Sequence, residues 1–497
     1  MKDIPSLFSD WQKMMLIIFP TLALLIPALA DARSMTDQEL LLAAETRLAK
    51  DPGVSDHLID VTVKDGVVTL SGTIDNALGA DRATRVTENI RGVRSVVNTV
   101  EVRTPDRPAE EIRADVTAAL ERSPAPNVRA IEISAAQGVA TLEGTVNSWR
   151  EKWLAEQKAK SIRGVKGVRN NLEIAYDAER ADDDIRKDIE TTLRWDAWLH
   201  GTDLKVAVND GKVELSGSVA SALQRRRAKA DAWVNGVHKV DAEGVKVAPE
   251  GSDGADSISL SKAFPEADDE STTRALRRAF ALDPRIDAEA IEIDVKDGVA
   301  TLDGRVDRAG TRRALSETAR ATRGVWIVRN NVGIRPGMIP TREPMVEGDS
   351  RFAQRVRTAL LAHADVHQHE IGVEVDSGVA ELTGTVDSEH QKQVAERVAE
   401  DVAGVVRVAN RLEVAEEDRP QKSDDAIREE IRSELFWSPF VDREDITVTV
   451  RGGVATLAGV VDTLEARRAA TKNARDGGAV EVRNRLRVRV GPAYYQP

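Results

Sequence analysis

With 497 residues, 31% of them charged, 4% aromatic and none cysteine, the chain is too long for one hydrophobic core and can form no disulfide framework. Its formal net charge of −13 argues against a general nucleic-acid binder. Residues 248–270 alone hold seven acids against Lys262, so the remainder lies closer to neutral.

Lys13 precedes an apolar run from Met14 to Ala30 that closes on Ala28-Leu29-Ala30, the pattern of an export signal with a small-residue cleavage site over residues 1–30. The run has 17 residues and contains Pro20 and Pro27, against the roughly 20 unbroken apolar residues of a spanning helix. The expectation is a periplasmic protein cleaved after Ala30, with an uncleaved inner-membrane anchor as the alternative.

Beyond that point the chain repeats itself six times. Pairs of glycines six residues apart recur at Gly66 and Gly72, Gly138 and Gly144, Gly211 and Gly217, Gly298 and Gly304, Gly378 and Gly384, and Gly453 and Gly459. Successive pairs stand 72, 73, 87, 80 and 75 residues apart, the mark of an array of small domains. Each unit opens with apolar residues at four-residue spacing, as in Ile112, Val116, Leu120 or Ile427, Ile431, Leu435, which predicts an amphipathic helix with one buried stripe. Thr36 with Glu39 and Ser388 with Gln391 read as capping boxes. Alternation follows, as in Ile446, Val448, Val450, then a turn at the first glycine and a second alternating strand, which together make a hairpin.

The second glycine falls on the apolar strand face, where we expect it to let a helix backbone approach the sheet. A second helix ends at Gly92-Val93, Gly164-Val165, Gly236-Val237, Gly324-Val325 or Gly404-Val405, where glycine suits a left-handed cap, and a last strand carries Asn98, Asn170, Asn330, Asn410 or Asn484. Helix, strand, strand, helix, strand gives an α/β two-layer sandwich with both helices on one face of a three-stranded mixed sheet. A parallel crossover is the default for the last connection, and strand order stays open.

The Asp-Gly-x-Val-x-Leu-x-Gly-x-Val hairpin, the Gly-Val pair and the Val-x-Asn-x-Leu strand together resemble the BON domain, named for osmotically inducible and nodulation proteins of bacteria. Six copies are expected at 36–102, 108–174, 182–247, 270–334, 350–414 and 424–490. The resemblance implies an αββαβ fold, an envelope location, association with phospholipid membranes and a part in osmotic or envelope stress, with no catalysis and no cofactor. The third copy departs by Ala242 in place of the asparagine and the sixth by Gly478-Ala479 at the helix end. An acidic linker at 248–269 and a proline-containing linker at 335–349 are expected to be extended, dividing the array into copies one to three, copy four, and copies five and six.

Differences between copies are where candidate contacts lie. In the last strand, period-two alternation sets Arg483, Arg485, Arg487 and Arg489 on the open sheet face, opposite Val482, Leu486, Val488 and Val490. Four like charges in a row suit an anionic partner, and the planar guanidinium matches phosphate. Tyr494 and Tyr495 lie just beyond. Weaker basic patches recur on second helices at Arg225, Arg226 and Arg227, at Arg312 and Arg313, and at Arg467 and Arg468, and linkage multiplies such weak contacts. Trp149 and Trp153 flank Arg150 and Lys152 and have no counterparts in other copies, which makes them interface candidates, whereas Trp195 and Trp437 occupy matching places and point to core closure.

His363, His367 and His369 with Asp365 cross a helix end and are read as surface histidines, not a metal centre. The reading is a non-enzymatic envelope protein whose partner is an anionic phospholipid surface, with envelope proteins as further partners and no nucleic acid. The alternative is a periplasmic chaperone or scaffold that holds chains on sheet faces or edges.

Overall fold

The computed structural model describes residues 35–54, 58–123, 125, 131–176, 178–199, 202–247, 268–334, 349–367, 369–415, 422–441, 445–490 and 493–495. The export signal and nearly all of both linkers lie outside them. Within them twelve α-helices and six mixed sheets repeat one pattern.

In unit 1 a leading helix α1 (Asp37–Lys50) is followed by the hairpin β1 (Ile59–Lys64) and β2 (Val67–Ile74), the second helix α2 (Ala77–Glu88), and a last strand broken into β3 (Ser95–Asn98) and β4 (Glu101–Val102). Unit 2 runs α3 (Ala109–Arg122), β5 (Ile131–Ala136), β6 (Val139–Val146), α4 (Trp149–Lys160), β7 (Gly167–Ile174). Unit 3 runs α5 (Asp182–Trp195), β8 (Asp203–Asn209), β9 (Lys212–Val219), α6 (Ala222–Asp231), β10 (Lys239–Val247). Unit 4 runs α7 (Asp269–Leu282), β11 (Ile291–Lys296), β12 (Val299–Val306), α8 (Ala309–Ala321), β13 (Ile327–Asn330), β14 (Gly333–Ile334). Unit 5 runs α9 (Asp349–Ala362), β15 (Gly372–Asp376), β16 (Val379–Val386), α10 (Glu389–Glu400), β17 (Arg407–Val414). Unit 6 runs α11 (Asp424–Trp437), β18 (Ile446–Arg451), β19 (Val454–Val461), α12 (Leu464–Asp476), β20 (Glu481–Val490), and adds β21 (Ala493–Tyr495).

The middle strand of each sheet is the second of the hairpin, antiparallel to the first and parallel to the last, as in Ile59 against Gly72 and Val67 against Ser95. The first capping box forms in full, the Thr36 hydroxyl accepting from the Glu39 amide and a Glu39 carboxylate oxygen from the Thr36 amide; at the second the Ser388 hydroxyl accepts from the Gln391 amide, but the Gln391 side-chain oxygen accepts from the Asp387 amide instead of that of Ser388. At the hairpin turn Asp65 and Gly66 both take positive φ, 52° and 72°, which a two-residue turn matched to strand twist demands.

A carboxylate at the first residue of the leading helix pins this turn, a feature the sequence reading missed. Asp37 accepts from the Asp65 and Gly66 amides, both at 2.8 Å, and Asp182, Asp269 and Asp424 repeat the double contact in units 3, 4 and 6. Asp349 reaches the Ser377 amide in unit 5, whereas unit 2 has Ala109 there.

The second glycine serves a different neighbour from the one expected. Its φ runs from 107° to 139° across the units, and a Cβ on Gly72 would overlap the backbone carbonyl oxygen of Leu58, the residue just ahead of the neighbouring strand β1. The close approach is therefore strand to strand. Close helix packing comes instead from alanines on the second helix, with Ala83, Ala155, Ala228, Ala314, Ala395 and Ala470 all wholly buried. The asparagine of the last strand then ties strand to helix: Asn170 Nδ2 donates to the Lys152 carbonyl at 2.9 Å, and Asn98, Asn330, Asn410 and Asn484 make the same bond.

Each unit has its own core, such as Ile431, Leu435, Leu457, Ala470 and Leu486 in unit 6. The units do not follow one another as separate blocks, however. The Arg91 amide of unit 1 donates to the Trp437 carbonyl of unit 6 at 2.9 Å, Arg163 of unit 2 to Ala362 of unit 5 at 2.9 Å, and Arg323 of unit 4 to Trp195 of unit 3 at 2.9 Å. In all three the donor precedes the glycine that ends a second helix and the acceptor ends a leading helix, where carbonyls lack an intrahelical partner. The array thus folds back on itself, pairing unit 1 with 6, 2 with 5 and 3 with 4, in place of the three expected blocks.

Candidate functional site

β20 realises the alternation expected of it. Leu486 and Val488 are buried and Val482 and Asn484 half-buried, while Arg483, Arg485 and Arg487 are exposed on the opposite face. Arg483 Nε lies 3.1 Å from Glu481 Oε1, and both side chains are open to solvent, a pair worth little in water. Arg485 has no hydrogen-bond or ion-pair partner among the described residues. Arg489 continues the strand, in backbone register with Tyr494 of β21, and Val488 pairs with Tyr495, so the segment beyond the row is a fourth strand covering the β20 edge.

What sets this face apart is the hairpin beside it. The residues paired with Arg483, Arg485 and Arg487 are Thr456, Ala458 and Val460, and Thr447 and Thr449 lie one strand further out. Every other unit places a carboxylate there: Asp60, Glu143, Glu214, Asp303 or Glu381, the last bound to Arg411 at 3.0 Å. The strands of the unit 6 hairpin therefore set no carboxylate beside Arg485. Period-two alternation could have shown that contrast from the sequence.

The second-helix patches lie elsewhere than on an open surface. Arg226 pairs with Glu88 of unit 1, and Arg313 with Glu400 and, at 3.5 Å, with Asp401 of unit 5. Arg227 pairs with Asp196 and lies 5.6 Å from the Trp198 ring centroid. Arg467 donates to the Asn484 carbonyl at 3.2 Å and Arg468 lies 3.6 Å from Glu465, while Arg225 and Arg312 are half-buried. Arg226, Arg227, Arg313 and Arg467 are engaged within the molecule, Arg226 and Arg313 between units, because the second helices pack together where the array folds back, whereas Arg468 is exposed. Desolvation favours pairing there over exposure to an outside surface.

The tryptophans divide similarly. Trp149 stacks on Trp233 of unit 3 at 5.7 Å with planes 6° apart, so it is an internal contact, whereas Trp153 remains 47% exposed. Trp437 closes over a core, but over that of unit 1. The histidines are not free surface groups either. His363 and His390 line an internal cavity with Asp365, and His390 Nε2 lies 3.6 Å from an Asp365 carboxylate oxygen. Among the described residues no cluster of three or more ligand side chains could hold a metal.

Burial pushes His363 down to about 4, with Lys158, Arg397 and His390 adding to the depression and Asp365 opposing it. A histidine lowered from 6.5 binds its proton more weakly folded than unfolded. Its contribution to stability is therefore complete above about pH 6.5 and is lost as the pH falls toward 4. The groups facing it are Lys158 across the seam and Asp365, His390 and Arg397 in its own unit; Asp365, despite burial, is held at about 2 by His390 and His363 and stays ionised throughout. We expect the seam of units 2 and 5 to weaken between pH 6.5 and 4, and His363→Asn to remove that dependence. Thermal unfolding of both proteins at either end of the window checks this, and an equal fall in both would show another group to be responsible.

Among the described residues no helix is long and apolar enough to cross a membrane. A family model described as BON domain matches residues 36–104, 108–176, 181–249, 268–336, 348–416 and 423–490. Osmotically-inducible protein Y of Escherichia coli (strain K12) is 31% identical over 119 residues, 23% of this chain and 59% of that protein, so the match spans about three fifths of the relative. A solved structure of the C-terminal domain of CdsD, described as the structural protein of the Type III secretion system of Chlamydia trachomatis, aligns over 48% of this chain and all of its own at 15% identity and a TM-score of 0.12. A second CdsD structure aligns over 47% and 99% at 15% identity and a TM-score of 0.13.

Proposed function

The chain belongs to the BON domain family, with six copies filling most of its length, and from that premise we propose that it is a non-enzymatic protein of the cell envelope which binds anionic phospholipid surfaces during osmotic or envelope stress. The similarity to osmotically-inducible protein Y supports the stress role, and the export pattern at residues 1–30 supports an extracytoplasmic site of action. The observation that carries the lipid reading is the outer face of unit 6. There Arg483, Arg485 and Arg487 stand exposed beside Thr456, Ala458 and Val460, and Arg485 has no ion-pair partner among the described residues. A basic residue held near an anionic leaflet contributes about 1 kcal/mol, and the guanidinium fork can grip a phosphodiester through two bonds.

Co-sedimentation of the full chain with vesicles of phosphatidylcholine, with and without phosphatidylglycerol, tests this at low salt. Binding is expected to the anionic vesicles only. Reversing charge at Arg483, Arg485 and Arg487 together should weaken it by roughly a hundredfold, the equivalent of about 3 kcal/mol. Failure to bind either vesicle would remove the lipid reading, and equal binding by the reversed variant would move the contact to another face.

A further inference from the structure

Where the fold-back brings units 1, 2, 4 and 5 together, they line a half-open cavity of about 330 Å³. Its lining is strongly cationic: Arg82, Arg85, Arg122, Arg285, Arg313 and Arg397 with Lys158, against only Asp365 and Asp401 as carboxylates. Those two are already occupied. Asp401 takes Lys158 at 2.6 Å and Arg313 at 3.5 Å, while Asp365 faces His390 and accepts from Asn76 Nδ2 at 3.3 Å. Arg82 is bound by Asp51, and Arg285 by Asp283 at 2.8 Å and Glu317 at 3.3 Å.

Arg85, Arg122 and Arg397 are left over. They come from three different units, and none has a hydrogen-bond or ion-pair partner among the described residues. Arg85 and Arg397 hold the same place in their helices, each thirteen residues ahead of its unit's asparagine, Asn98 or Asn410. Burial lowers the affinity of Arg85 and Arg122 for their protons; Asp81 and Asp51, or Asp115, Asp401 and Glu121, oppose this in part, and Arg226 and Arg82, or Arg355, add to it. All three guanidinium groups line the one cavity, Arg397 on its solvent-exposed side. A multivalent anion is the ligand such a lining suits. The fork geometry selects phosphate oxygens, and the volume lies at the lower end of small-molecule sites, about 300 Å³.

We propose that this cavity binds a soluble phosphate-bearing molecule of about pyrophosphate size, gripped by Arg85, Arg122 and Arg397 and so bridging units 1, 2 and 5. This site is separate from the outer face of unit 6. A phosphate group could also arrive on a lipid, so the test carries both sources.

Pyrophosphate is titrated calorimetrically into the full chain at low salt, and unfolding midpoints are recorded with and without it. Saturable binding with one site per chain and a raised midpoint are expected. Arg85→Gln, Arg122→Gln and Arg397→Gln should each weaken binding about tenfold or more, and the triple variant should abolish it. The same triple variant should sediment normally with phosphatidylglycerol vesicles, while the unit 6 charge-reversal variant should bind pyrophosphate normally. Absence of both heat and midpoint shift in the unaltered protein overturns the proposal whatever the variants do. So does unchanged affinity in the triple variant, and so does loss of vesicle binding in that variant when pyrophosphate itself does not bind, which would make a lipid headgroup the occupant.

Discussion

Arg47→Leu is expected to part units 1 and 6. Arg47 lies on α1 with only 11% of its side chain exposed, and its Nη2 sits 3.1 Å from a Glu434 carboxylate oxygen that is itself 7% exposed. The same guanidinium donates to the Glu434 carbonyl at 3.0 Å and to the Asn89 carbonyl at 3.1 Å. Removing it leaves a buried carboxylate with Lys50 alone, at 3.3 Å, and unpairing a buried ion costs about 3–5 kcal/mol. Each unit keeps its own core, so the loss should appear as opening of the seam before any global unfolding. The chain has no cysteine, so Asp60→Cys and Thr447→Cys, both on exposed strand positions, give two clean sites for a fluorescent donor and acceptor. Transfer between them should fall in Arg47→Leu and recover in the Arg47→Leu, Glu434→Leu pair, because apolar replacement of both partners removes the stranded charge. Unchanged transfer in the single variant would mean that other contacts hold the seam.

Gly459→Ala should have the second large effect, centred on unit 6. Gly459 takes φ 139°, and a Cβ there would overlap the carbonyl oxygen of Asp445 and come within 3.0 Å of its carbon. Both obstacles are backbone, so no rotamer relieves them. Strain from the dihedral and from overpacking, each about 1–3 kcal/mol, should sum to roughly 3–5 kcal/mol. Calorimetry should show unit 6 melting early, with loss of vesicle binding and a lowered transition for unit 1, whose core Trp437 covers, while those of units 2 to 5 stay in place. Gly167→Ala is the control, since nothing lies within 4 Å of a Cβ there and the change should stay within about 0.5 kcal/mol. A variant at Gly459 that melts like the control would show that β19 can shift away from Asp445.

The elements of each unit were legible because they follow from local rules. Four-residue spacing, capping residues and the turn glycines all act within about ten positions of one another. The arginine row was legible too, since period two along one strand decides which side chains share a face. The seams were not. Arg91, Arg163 and Arg323 donate through their backbone amides to backbone carbonyls, groups every unit possesses, so pairing depends on flanking side chains such as Arg47 and Glu434, 387 residues apart. The inward direction of Arg226 and Arg313 follows from that pairing and was hidden with it. The role of the second glycine was misread for another reason: its neighbour, the Leu58 carbonyl, is set by hairpin register, which alternation alone does not specify.

Because unit 1 closes on unit 6, 2 on 5 and 3 on 4, the chain is nested like matched brackets. A polypeptide emerging from its N-terminus can complete the innermost pair once unit 4 is out, then the middle one, and the outermost only when unit 6 has emerged. Of the six, unit 6 appears last and supplies both the closing contact of the outermost pair and the exposed arginine row. A product cut short before unit 6 would lack the row and leave the unit 1 face around Arg47 and Asn89 uncovered.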